Sequence, residues 1–121
     1  MSWSEARLAE TLMELRVFGD DTTFVECKTA GRGVPDDIGE TLCAFANMPQ
    51  PGAIILGVSE RKGFEVTGVE DPAQMQKAIT SVNRSSVKPA PQLEFFHYRF
   101  NGKHVVVVEV TPLMPSEKPA K

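Results

Sequence analysis

Phe24-Val25-Glu26-Cys27-Lys28 decides the reading of this chain. Side chains alternate across a pleated strand, so Glu26 and Lys28 point to one face while Val25 and Cys27 point to the other. A carboxylate and an ammonium aimed together need a partner or a task. Downstream, Ala44-Phe45-Ala46-Asn47 closes a helical stripe and Gly52-Ala53-Ile54-Ile55-Leu56-Gly57-Val58 is an apolar run. The run from Ala53 to Val58 lacks alternation, which predicts a central strand covered on both faces.

The rest of the chain organises around that strand. Ser2 and Glu5 have capping-box spacing, Leu8, Leu12 and Leu15 recur at helical intervals, and Gly19 stops this first helix. Asp20 to Thr22 form a polar turn into a strand over 23–28, and Gly31-Arg32-Gly33 is a connector. Pro35, Asp36 and Asp37 suit the first turn of a second helix, which carries Ile38, Leu42, Phe45 and Ala46 and ends at Asn47 and Pro49. A polar turn over 59–63 leads to a return strand from Phe64 to Val69. Asp71 as cap, Pro72 at the first helical position and Met75, Ile79 and Val82 define a third helix. Leu93 to Phe100, the Asn101-Gly102 turn and Lys103 to Val110 form a hairpin whose Val105–Val108 run reads as a central strand. The expected fold is α+β, one domain with a mixed, mostly antiparallel sheet and helices packed on it, in the order α-β-α-β-β-α-β-β. Its expected bounds are 1–111, with 112–121 a flexible tail leading into a further region.

The chain has 121 residues, 41% hydrophobic and 24% charged, which fits one soluble domain with a modest core. Neither a membrane-spanning run nor a signal-peptide pattern is present, so a cytoplasmic location is expected. Cys27 and Cys43 fall on core faces without metal-like spacing and read as buried thiols. The net charge of −3 hides an asymmetry: residues 1–70 carry twelve acids and six bases, and residues 71–121 four acids and seven bases. A polyanion would prefer the second half, although overall acidity argues against strong non-specific binding.

Glu26-Cys27-Lys28, Ala44-Phe45-Ala46-Asn47, Gly52 with Ile55-Leu56-Gly57-Val58, and Val66-Thr67-Gly68-Val69 follow one another in a familiar register. Pro89 before the last hairpin and Glu117-Lys118-Pro119 beyond it fit the same pattern. Over about residues 18–119 the chain resembles the Schlafen AlbA-type DNA-binding domain. It differs from the usual pattern at Cys27, where the family has an aromatic residue, at Pro51-Gly52, where it has two glycines, and in one extra residue before Gly57. The resemblance implies an N-terminal nucleic-acid-binding module of proteins described as transcriptional regulators or RecG-like helicases. It also brings a historical ATP-binding label, which the residues do not support. No Gly-x-x-x-x-Gly-Lys-Ser/Thr loop exists, so no cofactor is expected for binding and ATP is not expected in this segment.

Two uses of the charged residues stay open. Matched to Schlafen relatives that cleave RNA, Asp21, Glu26 and Glu60 would form a three-carboxylate catalytic and metal site holding Mg²⁺ or Mn²⁺. Against this, Glu26 could simply pair with Lys28, Asp21 could form a turn and Glu60 could be a solvated acid. A non-catalytic surface would instead use Lys28, Arg32, Arg84, Lys88, Arg99 and Lys103 on nucleic-acid phosphates, DNA or RNA. Exposed hairpins also carry lysine merely to block edge pairing. Asn47 reads as a helix cap, with its amide pointing between strands as the alternative, and Trp3 as an anchor for the first helix. His97 and His104 flank the hairpin without a third ligand and read as structural. A protein-interaction or homodimer role is the remaining class.

Overall fold

The computed structural model describes residues 3–19, 24–31 and 33–121. Its elements are α1 (Glu5–Phe18), β1 (Val25–Lys28), α2 (Ile38–Ala46), β2 (Gly52–Leu56), β3 (Val58–Ser59), β4 (Glu65–Val66), α3 (Pro72–Ser86), β5 (Gln92–Phe100) and β6 (Lys103–Thr111). The main sheet has the order β1-β2-β6-β5, with β1 parallel to β2 and the other pairs antiparallel. The fold is α+β, as the sequence pattern implied, except that the apolar run is broken at Gly57. There φ is +97°, and a Cβ would meet the His104 carbonyl at 3.0 Å, so a glycine lets the chain leave the sheet as β3.

Two apolar layers sandwich the sheet. On one side Ile54, Leu56, Val106, Val108 and Val110 pack against α2 and α3. On the other, Ile55, Val105 and Val107 pack against α1 and the small β3–β4 ribbon, with Trp3 and Phe64. Successive residues of β2 and β6 therefore feed opposite cores, which is why both runs are continuously apolar. Val105–Val108 is central, as expected, between β2 and β5.

Local signals explain the element ends. Asp71 accepts a hydrogen bond from the Gln74 amide and Pro72 opens α3. Asn101 and Gly102 have φ of +51° and +76°, the pair of left-handed conformations that a two-residue hairpin turn needs. The cap of α1 is Ser4, whose hydroxyl accepts from the Arg7 amide; the expected Ser2 lies outside the described residues. Helix α2 starts at Ile38, later than Pro35 suggested, with Asp37 at its cap position. Phe64 is an aromatic residue at φ +62°, and its carbonyl receives both Nε and Nη2 of Arg16 at 3.2 and 2.9 Å. That bidentate contact ties α1 to the ribbon.

Residues 112–121, expected as a flexible tail, pack onto the domain. Leu113 and Ala120 are buried, Lys121 exchanges backbone hydrogen bonds with Lys88 in both directions, and Lys118 Nζ donates to the Met48 carbonyl at 2.8 Å. The partners are loop backbone groups more than thirty residues away in sequence, so no local pattern foretells them.

Candidate functional site

The pair singled out at the start lies on the α2 side of β1. Lys28 Nζ is 2.8 Å from Glu26 Oε2 and 2.9 Å from both carboxylate oxygens of Asp37 at the head of α2. Thr41 Oγ1, one turn into α2, lies 3.3 Å from Glu26 Oε2 and 3.2 Å from the Asp37 carbonyl. The Lys28 side chain is 10% exposed, those of Glu26 and Asp37 35% and 58%. Burial acts most strongly to lower the Lys28 pKa, yet the hydrogen bonds and charges of Glu26 and Asp37 together outweigh it and hold the ammonium above its usual range. Sequence spacing put Glu26 beside Lys28; Asp37 and Thr41 joined them only through the β1-α2 packing.

Asp21 lies outside the described residues, Glu60 is exposed at the start of a short 3-10 turn, and Glu26 Oε2 is taken by Lys28 and Thr41. Among the described residues no group of three His, Cys, Asp or Glu is placed to hold a metal ion.

The cations separate into distinct surfaces. Arg84 and Lys88 are exposed on and just beyond α3. Lys77 was not singled out from the sequence, yet with Ser81 it lies on the same helical stripe as Arg84, at spacings of four and three, while Lys88, beyond the extended Val87, reaches back to the Arg84 carbonyl at 3.2 Å. Residues 72–86 contain no Asp or Glu, a signal that was available to sequence reading. Arg99 pairs with His104 and Lys103 with Phe100, so the pleat sends Arg99 to the α3 side and Lys103 to the α1 side. They do not form one tip cluster. Lys103 lays its stem on Gly68 and reaches the Val66 carbonyl at 3.4 Å. Lys28 is committed to its carboxylates, and Arg32 lies outside the described residues.

Residues 21–120 match the family described as Schlafen, AlbA_2. The chain belongs to the Schlafen AlbA_2 family. Among solved structures this AlbA_2 domain is similar to the N-terminal domain of a RecG-related protein from Nitrosomonas europaea, at 29% identity and TM-score 0.74, covering 93% of this chain and 77% of that one. It also shares its fold with the DIP2311 protein from Corynebacterium diphtheriae, at 20% identity and TM-score 0.57, covering 96% of this chain and 24% of that one. Comparison with curated proteins gives no match. No helix among the described residues is long and apolar enough to cross a membrane.

Other candidate residues find places within the AlbA_2 domain. Asn47 stands at the end of α2, but its amide turns to the tail: Oδ1 accepts from the Ala120 amide at 2.7 Å and Nδ2 donates to the Ala120 carbonyl at 3.3 Å. Trp3 is buried, with the Arg7 guanidinium 4.1 Å above its ring. Cys27 is buried, and half-buried Cys43 directs Sγ at the Ala120 carbonyl, 3.3 Å away. His97 and His104 are brought together, with Nε2 of the first 2.7 Å from Nδ1 of the second. Burial, then the nearby His104 and Arg99, hold His97 below the usual imidazole range.

Proposed function

We propose that this AlbA_2 domain is a nucleic-acid-binding module whose phosphate-contacting surface is the exposed face of α3. The observation that carries this reading is the acid-free stripe Lys77, Ser81 and Arg84, extended by Lys88 just past the helix end, with Arg99 on the same side of the sheet. Cations neutralise phosphates and release counterions, while the interleaved Gln76, Thr80, Ser81 and Ser85 supply hydrogen-bonding groups without opposing charge. Family membership and the likeness to a RecG-related N-terminal domain support the same reading. In that setting the module would deliver nucleic acid to an attached effector, helicase-like or regulatory. Fluorescence polarisation with labelled duplex DNA, duplex RNA and single strands, each across a salt series, tests it. Affinity should fall steeply with salt, and no measurable complex at low salt contradicts the reading.

A second reading is a metal-dependent endoribonuclease using Asp21, Glu26 and Glu60 with Mg²⁺ or Mn²⁺. Its support is the 35% exposure of Glu26, which leaves the carboxylate within reach of a hydrated ion. Cleavage of structured RNA that requires Mn²⁺ and disappears in Glu26→Gln would favour it. Absence of cleavage by the unaltered protein would remove it.

A further inference from the structure

The two histidines of the chain lie on opposite strands of the β5–β6 hairpin, seven residues apart in sequence and joined by register alone. His97 is paired with Val106 and His104 with Arg99, which makes the histidines diagonal neighbours on the α3 side of the ribbon. Their ring centroids are 4.8 Å apart, their planes are tilted by 46°, and the facing nitrogens, His97 Nε2 and His104 Nδ1, stand at 2.7 Å. They open into a groove of about 360 Å³ between the hairpin and the head of α3, also lined by Asp71, Ala73, Gln76 and Val106.

We propose that His97 and His104 form a two-nitrogen chelate for a transition-metal ion preferring square-planar or tetragonal coordination, such as Cu²⁺ or Ni²⁺. Imidazole nitrogens suit these ions, and a strand-paired ribbon holds both rings at fixed separation. Distance decides among geometries. With metal–nitrogen bonds of about 2.0 Å, cis nitrogens at right angles sit about 2.8 Å apart, whereas a tetrahedral centre spreads them to about 3.3 Å. The observed 2.7 Å lies about 0.1 Å from the first arrangement, and each ring then turns so that its facing lone pair aims at a common point instead of at the other nitrogen. In the metal-free pair one facing nitrogen carries the shared proton. On chelation that proton moves to the far nitrogen of its own ring, so neutral rings bind through His97 Nε2 and His104 Nδ1 without net proton release. Remaining coordination positions are open to water or a ligand entering the groove.

Titration of the whole chain with Cu²⁺, followed by electron paramagnetic resonance and calorimetry, tests this, with Ni²⁺ as a second probe and Mg²⁺ as a control. One equivalent of Cu²⁺ should give a spectrum with two-nitrogen splitting, and His97→Gln and His104→Gln should each weaken binding at least about tenfold, since even outer-shell changes cost that much. His97 is exposed, so its variant keeps the fold, as circular dichroism should confirm. A Cu²⁺ affinity unchanged by either substitution, or a spectrum without nitrogen splitting, overturns the proposal and leaves a hydrogen-bonded structural pair only. Cys43→Ser should leave both readouts unchanged; loss of the site in that variant would likewise overturn it.

Discussion

Glu26 and Lys28, two residues apart on β1, close an ion pair of 2.8 Å that Asp37 completes from the next helix. The ammonium is the more buried group, so the network depends on Lys28 more than on either carboxylate. Lys28→Met should destabilise the domain by about 1–2 kcal/mol, below the cost of breaking a fully buried pair because both carboxylates retain water. Urea denaturation of Lys28→Met, Glu26→Gln and the double variant measures the coupling directly. Additive effects would show that the pair contributes nothing of its own.

The same network sets an alkaline limit. Lys28 is held charged above its usual range, so its stabilising contribution is complete below the unfolded lysine value of about 10.4 and is lost as pH rises through the higher folded value. Midpoints measured from pH 8 to 11.5 should fall more steeply for the unaltered protein than for Lys28→Met in the last part of that range. Parallel curves would contradict the assignment.

Gly52 is required by packing rather than by its backbone angle. A Cβ there would sit 2.3 Å from Phe45 Cδ1, and Phe45 is itself a buried ring of the core beneath α2. Gly52→Ala should cost about 1–3 kcal/mol, while Gly63→Ala, with nothing within 4 Å, should cost only what its left-handed φ of +68° imposes. Thermal denaturation of the two variants checks the ranking.

The tail should behave as part of the domain. Asn47 makes two hydrogen bonds to the backbone of Ala120, so Asn47→Ala is expected to destabilise by about 1–3 kcal/mol and to raise hydrogen exchange at Lys88 and Lys121, whose amides pair across the same junction. Unchanged exchange at those two amides would show that Asn47 does not fasten it.

Much of this architecture was legible because local chemistry agrees with it. Asp71-Pro72 announces α3, Asn101-Gly102 announces the hairpin, and apolar runs on β2 and β6 announce central strands. What escaped depends on contacts between distant residues. Gly57 looked like one more residue of a strand until its carbonyl neighbours across the sheet were known. Ala120 finds Asn47, and His97 finds His104, only once α2 and the hairpin are in place. The candidate cations were legible as residues but not as a surface: pleat parity separates Arg99 from Lys103, whereas helical spacing unites Lys77 with Arg84.

The acid-free face of α3 is the central claim, and its salt dependence tests it most directly. Each phosphate neutralised contributes about −0.9 on duplex, or −0.7 on single strands, to the slope of log affinity against log salt concentration. The combined variant Lys77→Gln, Arg84→Gln and Lys88→Gln should bind nucleic acid more weakly on every sequence tried, with a slope shallower by about 2–3. A slope and affinity matching those of the unaltered protein would contradict the assignment of this face.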